Sequence, residues 1–287
     1  MNYLPPLPPT VISPIIDLAL SEDFGVSGDL TANLLIPSTA NGSLVMRSRE
    51  AGVIAGLQAA EMTYHKVDPL INFQPQIQDG EPVTAGKIIA RIDGPSRSLL
   101  SAERVALNFL GRLSGVASLT RKYVDRVKGT NVRIAATRKT TPGLRALEKQ
   151  AVLAGGGYAH RESLAAAIMI KDNHIALAGG VDAALKFIKE KADHMTRVSV
   201  EVDTLEQLKI VLTYEPDVIL LDNMGPDELK NAVKIVETSS HRRPILEASG
   251  GVNLDTVTDI SKSGIDVISI GALTHSAPNF DIGMDDA

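Results

Sequence analysis

Six short runs rich in β-branched residues recur between Val132 and Ile270, most of them separated by stretches of helical periodicity. They are Val132 to Ala135, Ile168 to Ile170, Val198 to Val200, Val218 to Leu221, Ile245 to Glu247 and Val267 to Ile270. Strands alternating with helices at this spacing build βα units, whose strands lie parallel in one sheet. No GxGxxG turn follows the first run, which disfavours a dinucleotide-binding sheet and leaves a (β/α) barrel as the expected architecture. The residues after each run strengthen that reading. They are Thr137-Arg138-Lys139, Lys171, Glu201 with Asp203, Asp222-Asn223, Ser249-Gly250-Gly251 and Gly271. Active sites of barrels sit at the C-terminal strand ends, and here those ends hold opposite charges and small residues.

The first hundred or so residues read as a separate mixed α/β segment. Helices are expected over Pro14 to Glu22 and Leu57 to Val67, with strands near Leu44 to Arg49, Ile71 to Gln74 and Ile88 to Ile92. Helical spacing resumes from Ser101 to Val127, where Gly111 and Gly115 mark bends or close packing, and this stretch holds the expected domain boundary. The domains are drawn as 1–112, 113–277 and a C-terminal tail, 278–287, that returns to the N-terminal domain.

Composition narrows the chemistry. The 287 residues are 44% hydrophobic and 22% charged, ordinary for a folded chain and far from the disordered extreme. No apolar run approaches the ~18 residues of a membrane span, and the start lacks the basic and apolar regions of a signal peptide. A soluble, cytoplasmic protein is the expectation. With no Cys there is no thiolate nucleophile or Cys-ligated zinc, and the six His are scattered, so oxygen ligands are expected for any metal.

Charge is unevenly spread. Residues 104 to 174 hold 13 Lys and Arg against 4 Asp and Glu, a balance of +9, while the remainder holds 16 against 30, or -14. Such a basic middle attracts anions. Aromatics are only 3% and Trp is absent, so stacking on nucleic-acid bases is not expected; small phosphorylated or carboxylated molecules fit better.

Thr137-Arg138-Lys139-Thr140-Thr141-Pro142-Gly143-Leu144-Arg145 gathers three cations and three hydroxyls at one strand end. Arg offers a planar fork for carboxylate or phosphate, Lys a mobile point charge. Gly155-Gly156-Gly157 leads to a further pair, His160-Arg161, and Lys171 is placed at the barrel mouth. Glu201 and Asp222 end neighbouring strands and suit one Mg²⁺, though helix capping or a structural pair with Lys171 explains them equally well. Ser249-Gly250-Gly251 and Gly271-Ala272-Leu273-Thr274 each turn from strand towards helix, offering backbone N–H groups where barrels commonly bind phosphate. Arg104 has no strand-end logic and reads as surface. Together these point to a barrel enzyme that handles a phosphorylated, magnesium-bound substrate beside a polycarboxylate.

The same motifs, in the same order, resemble the quinolinate phosphoribosyltransferases, the nicotinate-nucleotide pyrophosphorylases of NAD biosynthesis. The resemblance covers almost the whole chain. It rests on Leu20-Ser21-Glu22-Asp23, Gly28-Asp29-Leu30-Thr31, Ala51-Gly52-Val53-Ile54-Ala55-Gly56, Glu103 to Leu110 and Leu113-Ser114-Gly115, then on Thr137 to Arg145, Gly155 to Arg161, Lys171-Asp172-Asn173-His174, Glu247 to Val252 and Ile270 to His275. It implies an N-terminal α/β sandwich, an open TIM-like (β/α) barrel, and a homodimer, or a larger assembly, whose N-terminal domains cap the partner's barrels. By resemblance Arg104 enters the partner's site, and Arg104, Thr137, Arg138, Lys139, His160, Arg161 and Lys171 form the quinolinate pocket. Lys139, Lys171, Glu201 and Asp222 carry the catalysis and bind phosphoribosyl pyrophosphate, with Ser249, Gly250, Gly251, Gly271, Ala272 and Leu273 on its phosphate. Glu201 and Asp222 hold Mg²⁺, partly through water. Ala136 and Ala159 stand where relatives often carry Asp and Asn, and neither change removes a cation. A transferase of the same fold acting on nicotinate or another aromatic acid is the alternative. It would need fewer cations.

Overall fold

The computed structural model describes residues 4–287; Met1 to Tyr3 of the expected N-terminal domain lie outside the described residues. In chain order the first half contains α1 (Pro9–Phe24), α2 (Leu30–Leu35), β1 (Asn41–Ser48), β2 (Gly52–Val53), α3 (Leu57–Val67), β3 (Asn72–Pro75), β4 (Pro82–Val83), β5 (Ile88–Pro95), α4 (Ser96–Arg126) and β6 (Arg133–Ala135). The second half contains α5 (Arg145–Ala154), β7 (Ile168–Ile170), α6 (Asp172–Leu177), α7 (Val181–Lys191), β8 (Val198–Val202), α8 (Leu205–Leu212), β9 (Val218–Asp222) and α9 (Pro226–Glu237). β10 (Ile245–Ser249), α10 (Val257–Ser261), β11 (Val267–Ser269), α11 (Ala272–His275) and β12 (Ile282–Asp286) complete it. Two compact units result. One comprises Met1–Arg121, Lys139–Gly157 and Leu273–Ala287; the other comprises Lys122–Arg138 and Tyr158–Ala272.

The first unit is built on a four-stranded sheet in the order β12-β1-β5-β3, antiparallel throughout. Alternating burial along β1 and β5 sends Met46, Ala90 and Ile92 inward, where they join Leu57, Ala60 and Tyr64 of α3 and Leu99, Ala102, Ala106 and Leu110 of α4. Each large apolar side chain buried this way is worth roughly 1.5–3 kcal/mol. This α/β sandwich is the expected N-terminal architecture. The expected boundary at residues 112 and 113 falls inside α4, which continues unbroken through Gly111 and Gly115. Glycine is required at Gly115 because a Cβ there would run into the carbonyl of Pro278, so close packing, not a bend, is the reason for it.

The second unit holds six parallel strands in the order β6-β11-β10-β9-β8-β7. Each strand from β7 to β11 lies beside its successor, and β6 closes onto β11, which is barrel order with no pairing between β6 and β7. The barrel is therefore open, as expected. The centres of β8, β9 and β10 are buried, the pattern of parallel strands covered on both faces. At the open side of β6, Tyr158 forms an isolated parallel bridge to Ala135. No helix of the described residues is long and apolar enough to cross a membrane.

Candidate active site

In the second unit the strand ends place Lys171, Glu201, Asp222, Ser249 and Gly271 at the termini of successive strands, and Thr137 and Arg138 just beyond β6. Lys171 leaves β7 directly into α6, and its backbone N–H donates to Nδ1 of His174 at 3.0 Å. Its ammonium donates to Oε2 of Glu201, a carboxylate only 9% exposed near the end of neighbouring β8. The structural pair with Lys171 expected as one reading of this carboxylate is present.

The bridge from Tyr158 to β6 brings His160 and Arg161 to the same barrel. Tyr158 N–H donates to Ile134 and Ala136 N–H donates back to Tyr158, both at 2.9 Å, which fixes the segment's entry. His160 then adopts a left-handed φ of 58°. Such backbone is uncommon outside glycine and concentrates at functional sites. Its Nε2 lies 3.3 Å from Oε1 of Glu247. Glu247 sits mid-strand in β10 and is 4% exposed. Glu247 belongs to a motif that carries the family resemblance but is not among the expected site residues; the signal for it is a lone carboxylate two residues before Ser249, hence on the same strand face.

Arg161 donates to the carbonyl of Ala167 at 3.0 Å and to Sδ of Met169 at 3.5 Å. Burial first, and then the positive charge of Arg138, hold its pKa below the ordinary guanidinium value. A cavity of about 270 Å³ lined by His160, Arg161, Met169 and Glu247 also reaches Arg133, Ile168, Val218, Ile245 and Val267, the first residues of β6, β7, β9, β10 and β11. It therefore lies toward the N-terminal strand ends, and Lys171, Glu201 and Asp222 do not line it.

Asp222 ends β9, and its Oδ2 accepts from Asn223 Nδ2 at 2.7 Å. Asn223 is left-handed (φ 54°), and its amide packs where a Cβ on Gly250 (φ 87°) would stand, so only glycine fits that turn. The turn is not the start of a helix, contrary to expectation, because α10 begins only at Val257. Gly271 does lead straight into a helix, the single turn α11.

Glu201 and Asp222 offer carboxylate oxygens at the ends of neighbouring β8 and β9, the donor type Mg²⁺ takes from one or two carboxylates alongside water and substrate phosphate. Among the described residues no group of three or more His, Asp or Glu that could hold a metal is present.

Arg104, Lys139 and Leu273 belong to the first unit. Arg104 is exposed on α4 and Lys139 is exposed in the loop after β6. Leu273 is buried in α11, so only its backbone is offered.

Two family models match the chain. The quinolinate phosphoribosyl transferase N-terminal domain matches residues 29–114 and the C-terminal domain of the same enzyme matches residues 116–285. The chain belongs to the quinolinate phosphoribosyltransferase family. A probable nicotinate-nucleotide pyrophosphorylase (carboxylating) of Bacillus subtilis strain 168 is 40% identical over 264 residues, 92% of this chain and 89% of the relative. A chloroplastic nicotinate-nucleotide pyrophosphorylase (carboxylating) of Oryza sativa is 40% identical over 98% of this chain and 79% of its own length. Among solved structures, NadC from Streptococcus pyogenes superposes with a TM-score of 0.93 at 38% identity, covering 98% of both chains.

Proposed function

We propose that this protein transfers the phosphoribosyl group of phosphoribosyl pyrophosphate to quinolinate with decarboxylation, yielding nicotinate mononucleotide, CO₂ and pyrophosphate for NAD biosynthesis. The substrate choice is supported by the cations that the strand ends and the Tyr158 bridge bring to one barrel, Arg138, Arg161 and Lys171. A dicarboxylate offsets that much positive charge better than a monocarboxylate does.

The pyridine nitrogen forms a bond to C1 of the ribose as the bond from C1 to pyrophosphate breaks, through a transition state with oxocarbenium character. The positively charged ring nitrogen then stabilises the electron pair left when the 2-carboxylate departs as CO₂, and a proton replaces it. No nucleophilic side chain is needed. Thr137, Arg138, His160, Arg161 and Lys171 orient the two ring carboxylates, and Lys139 and Lys171 offset charge growing on the leaving pyrophosphate. Ser249 to Gly251 and Gly271 to Leu273 present backbone N–H groups to phosphate. Glu201 and Asp222 would hold the ribose and Mg²⁺. Bound there, Mg²⁺ supplies charge stabilisation on the pyrophosphate oxygens.

Arg104, exposed on α4, suits the quinolinate pocket of a second copy, so the working unit is a homodimer, alone or within a larger assembly, and the setting is cytoplasmic. Calorimetric titration with quinolinate and with nicotinate tests the pocket: quinolinate is expected to bind at least ten-fold more tightly. Equal affinity would favour the nicotinate transferase instead.

A further inference from the structure

The geometry points to Glu148 and Arg112 as a positioning pair that holds the Lys139 loop and the turn at Leu273-Thr274 in one fixed arrangement for phosphoribosyl pyrophosphate. The inference rests on the proposed roles of Lys139 and Leu273, and every group in it lies in the first unit.

Glu148, on the first turn of α5, is fully buried. Its Oε1 accepts from Arg112 Nε at 3.0 Å, from Arg112 Nη2 at 2.7 Å and from the Thr141 hydroxyl at 2.7 Å. Its Oε2 accepts from the Thr141 backbone N–H at 3.0 Å. Both oxygens are thereby committed, and Thr141 stands two residues after Lys139.

Arg112, from α4, reaches on from Glu148 to the C-terminal turn. Nη1 donates to the carbonyl of Ala277 at 3.0 Å, and Nη2 also donates to the carbonyl of Thr274. The Thr274 hydroxyl in turn donates to the carbonyl of Lys139 itself at 2.7 Å. The path is closed: Lys139 to Thr274, Thr274 to Arg112, Arg112 to Glu148, Glu148 to Thr141. It fixes the backbone at the lysine's own carbonyl and two residues beyond it, and ties both points to the residue following Leu273.

Stability alone is a poor explanation for such a pair, because apolar residues of similar volume usually serve a core as well or better than a buried ion pair. A planar guanidinium bonded to a carboxylate and two carbonyls supplies direction instead. Here the directed groups are two backbone segments that meet the same substrate.

Thr274→Val is the cleanest test, since it removes one hydroxyl and leaves the buried charges paired; Glu148→Gln is the stronger perturbation. Steady-state kinetics should show the KM for phosphoribosyl pyrophosphate rising at least three-fold in Thr274→Val and at least ten-fold in Glu148→Gln. Direct binding of quinolinate should stay within two-fold of the parent protein. Unchanged kinetics in a folded Thr274→Val protein, or equal loss for both substrates, overturns the positioning role. If Glu148→Gln does not fold, Thr274→Val still decides. A parent protein that turns over neither substrate would instead defeat the functional reading, and calorimetric titration with inorganic pyrophosphate then tests the pair: unaltered affinity in Thr274→Val counts against it.

Discussion

Lys171 and Glu201 end neighbouring parallel strands, and the ammonium of the first donates to the buried carboxylate of the second. A pair of this kind can be a brace, a piece of catalytic machinery, or both. Lys171→Met leaves the Glu201 charge buried without that partner, a change expected to cost up to about 3 kcal/mol of stability. Combining it with Glu201→Gln should recover most of that loss in thermal melts. Turnover should nevertheless remain several hundred-fold down in both proteins, the scale of roughly 3–4 kcal/mol for losing a transition-state contact. Activity returning along with stability would make the pair a brace only.

Glu247 Oε1 lies 3.3 Å from Nε2 of His160, a residue proposed to orient quinolinate, and the amide analogue of Glu247 keeps its shape while removing the charge. Glu247→Gln should raise the KM for quinolinate about three- to ten-fold and leave that for phosphoribosyl pyrophosphate within two-fold. An unchanged quinolinate KM would mean that the ring is held in place by other contacts.

Arg104 provides a test of assembly. Arg104→Ala should abolish activity on its own, as should Lys171→Ala, yet mixing the two under conditions where subunits demonstrably exchange should restore a measurable fraction through hybrid dimers. No recovery would count against a shared site.

The C-terminal strand carries a pH signature. Hydrogen bonds from Arg49, and next from Arg47, hold the Asp285 carboxyl below its ordinary value. A depressed carboxyl pKa gives stability that is full above the ordinary unfolded value of about 3.9 and is lost as pH falls through the lower folded value. Asp285→Asn should therefore melt earlier than the parent protein at pH 7, and the gap should close in strong acid. A gap that persists there would show that packing, not charge, holds β12.

The barrel was readable from sequence because parallel strands buried on both faces need β-branched runs, and β7 and α3 fall on their expected residues. Helix α1 begins earlier than expected, at Pro9, because Pro14 reads as a helix start yet is tolerated inside. Strand β12 was expected only as a returning tail: Ile-Gly-Met-Asp-Asp has no strand-like alternation, and what fixes it is Asp285 meeting arginines more than two hundred residues away. The strand-end charges stood out because polar residues interrupt apolar runs. Glu247, Arg112 and Glu148 did not, since each lies within a helix or strand whose periodicity already accounted for it, and only the fold pairs them with His160, Thr141 and Thr274.

The decisive measurement incubates the purified protein with phosphoribosyl pyrophosphate and Mg²⁺, with quinolinate in one reaction and nicotinate in another, and follows pyrophosphate, CO₂ and mononucleotide together. Decarboxylating transfer to quinolinate gives all three in equal amounts from quinolinate and none of them from nicotinate. Turnover of nicotinate alone, or pyrophosphate and mononucleotide from quinolinate without CO₂, would contradict it.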